Sequence, residues 1–269
     1  MNQPRLIAFD LDDTLAPSKS RMDPVMADLL GALLDLVPVC IISGGRFEQF
    51  SAQVLTSLPA TSHLSNLHLM PTCGTQYYER SGAGWSRMYS EDLTDDEKAR
   101  VVDALVDGVR TLGLDQVATW GPTIEDRGSQ VTFSALGQDA PVEAKKKWDP
   151  SGAKKESLRA YVAARVPDLE VRSGGSTSVD VTRKGVDKSY GMNRIKERLD
   201  LADADILFIG DRLDEGGNDY PVKAMGIQCI AVKEWHDTAE VVRGLIAQLS
   251  ATGGSADRIG ASALSPTPS

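Results

Sequence analysis

Apolar residues fall in two spacings along this chain, and the two alternate. Short, nearly continuous runs occur in "RLIAFD", "VPVCIIS" and "LHLMPTC" in the first third and again in "DILFIGD" and "IQCIAV" in the last third. Between them lie "DPVMADLLGALLDL", "RFEQFSAQVL", "KSYGMNRIKERL" and "NDYPVKAMG", where apolar positions recur at helical spacing. Continuous runs suit strands buried on both faces, and the intervening stripes suit helices that cover a sheet. The pattern therefore predicts an α/β fold built on an open, parallel, Rossmann-like sheet with helical crossovers. Asp23 followed by Pro24 marks a helix start, with Asp as the cap and Pro in the first turn.

From Gly82 to Lys184 the periods change. Thr94 with Glu97 makes a capping-box pattern ahead of "KARVVDALVDGVRTLG". "SQVTFSAL" and "STSVDVT" alternate as half-buried antiparallel strands do, with a helix predicted between them over "SGAKKESLRAYVAARV". These features predict an inserted α+β domain at residues 83–184, a core assembled from residues 1–82 and 185–250, and hinges near Gly82 to Gly84 and Lys184 to Gly185. Residues 251–269, poor in large apolar side chains and rich in Gly, Ser and Pro, read as a disordered tail.

Composition narrows the function. With 269 residues, 41% hydrophobic and 25% charged, the chain has the make-up of a soluble globular protein. A formal charge of -9 excludes a broad nucleic-acid surface, which needs clustered Lys and Arg, so any phosphate binding is local. "MNQPRLIAFD" lacks the apolar region of a signal peptide and no run is long enough to cross a bilayer, which predicts a cytoplasmic protein with no membrane partner. Cys40, Cys73 and Cys229 are widely spaced and His63, His68 and His236 show no ligand spacing, so neither a disulfide framework nor a zinc site is expected.

The candidate chemistry lies where strands end. Open parallel sheets bind ligands beyond the carboxyl ends of their strands. Asp10 and Asp12 follow the first strand in "LIAFDLDDTL", Ser43 and Gly44 follow the second in "IISGGR", and Asp211 follows a late strand in "LFIGDRLDEGGNDY". Lys188 stands near the start of the helix after the insertion. Carboxylates crowded at the end of an apolar strand repel one another and call for a cation. Asp10, Asp211 and the backbone carbonyl of Asp12 are hard oxygen ligands suited to Mg2+. A carboxylate can attack phosphorus, Ser43 and Lys188 can hold phosphoryl oxygens, and Asp12 can shuttle the proton. Plainer readings stand beside these: Ser43 as a helix cap, Lys188 as a solvated helix lysine, Asp219 as the cap of "YPVKAMG", and Lys145 to Lys147 as a solvated face. A dinucleotide enzyme is disfavoured, because "FDLDDTL" lacks glycines and "SGGR" lacks the required spacing.

"DLDDT", the Ser of "IISGG", Lys188 and "GDRLDEGGND" resemble the four ordered motifs of the haloacid dehalogenase superfamily, and the insertion resembles the large α/β cap of its subclass IIB. The resemblance covers about residues 6–235. Within that subclass "LAPSKSRMDP", "CGT", "TIEDRG", "RSGGSTSVDVTRKGVDKSYG" and "GGNDY" are similar to eukaryotic-type phosphomannomutases. The resemblance implies Asp10 as nucleophile, Asp12 as acid and base, Ser43 and Lys188 as phosphoryl-holding groups, and Asp10, Asp12 and Asp211 as magnesium ligands. Asn218 and Asp219 would order the fourth motif or hold a metal-bound water, and Gly44 would contact substrate. It also implies a mobile cap that closes over the rim, with Ser178 and Asp180 contacting the sugar. Three cap arginines hold the distal phosphate in phosphomannomutases. Here Arg127 matches one, Gln138 replaces another, and the third falls near Lys145.

That replacement bears on the reaction. A mutase must hold a sugar bisphosphate while it turns around, and Gln or Lys grips phosphate less firmly than Arg does. The sequence therefore predicts an aspartyl-phosphate phosphotransferase acting on a phosphorylated sugar, first as a phosphatase. The alternatives are a phosphomannomutase and, from another class, a non-catalytic phosphosugar-binding protein. The expected assembly is a monomer or a homodimer joined through the cap.

Overall fold

The computed structural model describes residues 3–174 and 176–260. The chain divides into two compact units, one running up to Arg87 and resuming at Gly191, the other Met88–Tyr190.

The first unit is built on a seven-stranded sheet. Its strands are β1 (Leu6–Phe9), β2 (Val39–Ile42), β3 (Leu67–Met70), β4 (Gln76–Ser81), β5 (Gly84–Ser90), β10 (Ile206–Gly210) and β11 (Gln228–Ala231), in the order β11-β10-β1-β2-β3-β4-β5. The strands from β11 to β3 are parallel, as the unbroken apolar runs require, and β4 pairs antiparallel with β3. Leu6, Ile7, Ala8 and Phe9 are wholly buried, which a central strand covered on both faces demands. Register places Phe9 level with Ile41 and Ile209, so the residues after each of these strands emerge along one edge.

Helix α1 (Pro24–Leu34) starts as the sequence predicts, with Asp23 accepting the Val25 N–H at 2.9 Å. The next expected helix is split into α2 (Phe47–Phe50) and a π-helical turn at Ser51–Leu55. The strand expected over "LHLMPTC" stops at Met70, because Thr72 and Cys73 take positive φ in a tight 3-10 turn. The hairpin-connected pair β4 and β5 was not expected, since its side chains are mostly polar or half-exposed.

The second unit has a four-stranded antiparallel sheet, β6 (Ile124–Asp126), β7 (Gln130–Ser134), β8 (Leu169–Ser173) and β9 (Ser178–Arg183), in the order β6-β7-β9-β8. Helices α3 (Asp95–Thr111) and α5 (Ala153–Ala163) share a core with it, in which Val101, Leu105, Leu158 and Val162 join Val131, Phe133, Val179 and Val181. The opposite face carries Gln130, Thr132 and Ser134 beside Thr182, Asp180 and Ser178. Both halves of the Thr94 and Glu97 capping box form. Glu97 also receives Arg183, which together with the Thr94 backbone holds its carboxyl at about 2. The short helix α4 (Val142–Trp148) spans "EAKKKW", whose run of lysines carries no apolar period.

Helices α6 (Lys188–Leu199), α7 (Tyr220–Ala224) and α8 (Trp235–Gly260) complete the chain. Residues 251–260 extend α8, contrary to the tail expected from 251 on. Propagating an existing helix gains one hydrogen bond per residue fixed, which even this Gly-containing stretch satisfies. Residues 261–269 lie outside the described residues. No described helix is long and apolar enough to cross a membrane.

Packing in the first unit yields a pH-sensitive group. Buried His68 lies 2.7 Å from the Tyr77 hydroxyl, which donates to Glu79 at 2.9 Å. The tyrosine proton is committed to Glu79, so Nδ1 of neutral His68 donates to the Tyr77 oxygen. Burial lowers the His68 pKa to about 4, with Glu79 opposing and Arg198 assisting. The neutral form is native, so stability is complete above the unfolded value near 6.5 and falls as pH drops towards 4. Urea titrations at pH 7 and pH 4 should show a loss in wild type that His68→Gln reduces by about 2–3 kcal/mol. An equal loss in both proteins would assign it elsewhere.

Candidate active site

The site begins where β1 ends. Asp10 continues the ladder by donating its N–H to the Ile209 carbonyl at 3.0 Å, which fixes the residue at the carboxyl edge of the central sheet. Asp211 follows β10 directly, and Asp219 closes the loop that leads into α7. That loop is tied reciprocally: the Asp219 N–H donates to the Arg212 carbonyl at 3.2 Å, and the Asp219 carboxylate accepts the Arg212 N–H at 3.0 Å. A Cβ on Gly210 would stand 2.4 Å from Asp219 Oδ2, so the glycine leaves room for this carboxylate.

One carboxylate oxygen each from Asp10, Asp211 and Asp219 lie within 4.8 Å of one another. Asp10 and Asp219 are buried and Asp211 half-buried. Three ionised carboxylates at that spacing repel by about 3 kcal/mol per pair even at an effective dielectric of about 20. A cation relieves all three repulsions at once. The donors are hard oxygens without His or Cys, which suits Mg2+ rather than zinc. Oxygens about 2.1 Å from one octahedral ion stand about 3.0 Å apart when cis and about 4.2 Å when trans, so the three oxygens would draw together on binding it.

The Asp12 carboxylate lies apart from this cluster, bonded to the Lys19 N–H at 2.8 Å and to the amides of Gln49 and Gln53 at 3.0 and 3.2 Å. Asp219, expected to order the fourth motif or hold a metal-bound water, joins Asp10 and Asp211 in the triad and makes no side-chain cap bond to α7. Asn218 is exposed. Ser43 is buried behind β2, its N–H on the Met70 carbonyl at 3.3 Å and its carbonyl receiving the Cys73 N–H at 2.9 Å. It is not the cap of α2, since that position belongs to Arg46. Beside Gly44 the space a side chain would fill is open. Lys188 opens α6 and is only 1% exposed, which rules out a solvated helix lysine and requires a paired ammonium.

In the second unit Arg127 pairs with Glu125 at 2.7 Å, both largely buried. Gln138 Nε2 donates to Ser134 Oγ at 3.0 Å, Ser134 lies 3.2 Å from Ser178 Oγ, and Lys145 Nζ donates to the Gln138 carbonyl at 3.0 Å. Asp180 accepts from Thr132 at 2.7 Å. Gln138, Lys145, Ser178 and Asp180 therefore belong to the polar side of the antiparallel sheet and its margin, with Arg127 at the β6–β7 turn. Sequence reading missed Gln49 and Gln53. Their spacing of four, directly after "SGGR", was the available signal that both amides share a helix face.

Residues 26–248 match the model of the family described as eukaryotic phosphomannomutase. The chain is similar to the phosphomannomutase of Encephalitozoon cuniculi (strain GB-M1), with 27% identity over 224 residues, 81% of this chain and 83% of that protein. It is similar to the phosphomannomutase of Spinacia oleracea, with 26% identity over 229 residues, 82% and 88% of the two chains. Its fold is similar to that of a haloacid dehalogenase-like hydrolase from Bacteroides thetaiotaomicron, with a TM-score of 0.61 and 14% identity over 90% of this chain and 99% of that one.

Crowded like charges make a stability prediction. In divalent-free buffer Asp10→Asn should raise Tm by about 2 °C or more, because an amide of nearly the same shape removes two of the three repulsions. Added Mg2+ should then raise the Tm of wild type more than that of the variant, as read by differential scanning fluorimetry. A lower Tm of the metal-free variant would mean that the carboxylates do not repel as described.

Proposed function

The chain belongs to the eukaryotic phosphomannomutase family of the haloacid dehalogenase superfamily, and from this we propose that it transfers the phosphoryl group of a hexose phosphate through an aspartyl-phosphate on Asp10. The observation that carries this reading is the acidic triad at the edge of the central sheet, with Asp12 two residues beyond Asp10.

Asp10, Asp211 and Asp219 would hold Mg2+, with the Asp12 carbonyl as a further oxygen ligand. The ion would neutralise the carboxylates and the charge on the phosphoryl oxygens. In the first step an Asp10 oxygen forms a bond to phosphorus, the bond from phosphorus to the leaving sugar oxygen breaks, and Asp12 gives that oxygen its proton. In the second step Asp12 takes a proton from the attacking hydroxyl or water, whose oxygen bonds to phosphorus as the acyl-phosphate bond breaks. Ser43 and the buried Lys188 are proposed to hold the phosphoryl oxygens, with Gly44 giving the substrate access. Arg127, Gln138, Lys145, Ser178 and Asp180 are proposed to bind the sugar and its distal group.

The acceptor distinguishes two activities. Water as acceptor makes the protein a sugar-phosphate phosphatase, and Gln138 supports that reading. Its neutral side-chain amide already bonds Ser134, and its backbone carbonyl accepts from Lys145 Nζ, so neither residue offers the bidentate charged grip of an arginine. A second sugar phosphate as acceptor makes it a phosphomannomutase, and the family match over residues 26–248 favours that reading.

Phosphorus NMR separates the two. Mannose 1-phosphate or glucose 1-phosphate with Mg2+ should release free phosphate with no need for the matching 1,6-bisphosphate. Rapid bisphosphate-dependent formation of the 6-phosphate with little release would establish the mutase instead. Under the phosphatase reading Gln138→Arg should tighten bisphosphate binding by about 1.5–3 kcal/mol, the worth of a hydrogen bond to a charged group. Unchanged affinity would remove Gln138 from the argument.

A further inference from the structure

The Asp12 carboxylate is held by three donors that leave its two oxygens unequal. Oδ1 accepts from the Lys19 N–H at 2.8 Å and from Gln53 Nε2 at 3.2 Å, whereas among the described residues Oδ2 accepts only from Gln49 Nε2 at 3.0 Å. Each carboxylate oxygen offers two lone pairs, so Oδ1 is fully engaged and Oδ2 retains one.

The donors are themselves fixed. Gln53 is 3% exposed, and its Nε2 also donates to the Ser20 carbonyl at 2.9 Å, which uses both amide hydrogens. Its orientation follows from these contacts, because a flipped amide would turn Oε1 towards two acceptors. Its backbone carbonyl receives the Met22 N–H at 2.9 Å, so one residue fastens the loop at two points. In this orientation Gln53 Oε1 is buried with no hydrogen-bond partner among the described residues. Such an orphan costs on the order of 1–3 kcal/mol, which stability alone would select against. The residue sits in the π-helical turn at Ser51–Leu55, a rare local structure that recurs at functional sites.

Gln49 is placed with the same economy. A Cβ on Gly45 would stand 2.3 Å from Gln49 Oε1 and 2.7 Å from its Cδ, so the second glycine of "SGGR" makes room for this amide. Lys19 has φ +55, an uncommon conformation for a residue with a side chain, and its N–H points at Asp12. Backbone strain, a glycine, a π turn and an orphaned oxygen all serve the orientation of one carboxylate.

We propose that Gln49 and Gln53 are positioning residues that, with the Lys19 N–H, reserve Asp12 Oδ2 as the atom that carries the transferred proton. The proposal rests on the reading of Asp12 as the acid and base. In the first step the proton leaves Oδ2 for the sugar oxygen as its bond to phosphorus breaks, and the resulting carboxylate is held by the same three donors. The glutamines touch neither substrate nor phosphorus.

Leaving groups that differ in their need for a proton test this. A sugar hydroxylate must be protonated as it departs, whereas p-nitrophenolate need not be. Gln49→Met, Gln53→Met and the control Asp12→Asn should be assayed with Mg2+ in single turnover, on glucose 1-phosphate by chemical quench and on p-nitrophenyl phosphate by the nitrophenolate burst. Each glutamine variant should slow the sugar phosphate about 10- to 100-fold at unchanged KM, part of the 10²- to 10⁴-fold worth of a placed proton donor. The nitrophenolate burst should slow less than about threefold, as in the control. Gln49 is half-buried at the surface, so its variant remains informative if Gln53→Met does not fold. Equal slowing on both substrates, or none on either, would overturn the proposal while leaving Asp12 in its role. A control that itself shows no dependence on leaving group would overturn the acid role and the proposal together.

Discussion

Mutual repulsion among the carboxylates of Asp10, Asp211 and Asp219, with one oxygen of each inside 4.8 Å, is the constraint on which the rest of the first unit depends. At that spacing each pair of ionised carboxylates repels by about 3 kcal/mol at an effective dielectric of about 20, before the other partners of these residues are counted. A fold that keeps three such groups at one edge needs a cation there to be at its most stable.

The surrounding chain is shaped to keep these groups in place. Gly210 stands beneath Asp219 because any side chain would displace its carboxylate. The Arg212 and Asp219 backbones close their loop on each other, so Asp219 approaches Asp10 and Asp211 from a rigid turn rather than a flexible one. The Asp12 carboxylate is drawn away from the triad by amide donors, which keeps a fourth negative charge off the cluster. One sequence pattern, carboxylates at positions 10 and 12 after an apolar strand, thus divides into two jobs through the donors each residue meets.

Where the sequence speaks through burial, it is legible. Strands β1, β2, β3 and β10 are read from apolar runs because the middle of a parallel sheet covered by helices leaves no polar face. The two sheet strands β7 and β9 are read from their strict alternation for the opposite reason. What escapes is structure with weak or mixed patterning. β4 and β5 join the main sheet at its edge with exposed and charged side chains, β6 has only three residues, and α4 sits in a run of lysines. The place of Asp219 is legible only in part, since "GGNDY" points to the fourth motif but not to a carboxylate oxygen within 4.8 Å of those of Asp10 and Asp211. Gln49 and Gln53 belong to no motif and become visible only through the oxygen atoms they hold.

The central claim is that the three carboxylates form one divalent-ion site, and calorimetric titration with Mg2+ tests it most directly. One ion should bind per chain. Asp10→Asn, Asp211→Asn and Asp219→Asn should each weaken binding by about tenfold or more, the equivalent of about 1.4 kcal/mol. No saturable binding, or an affinity that survives the loss of Asp219, would contradict the account.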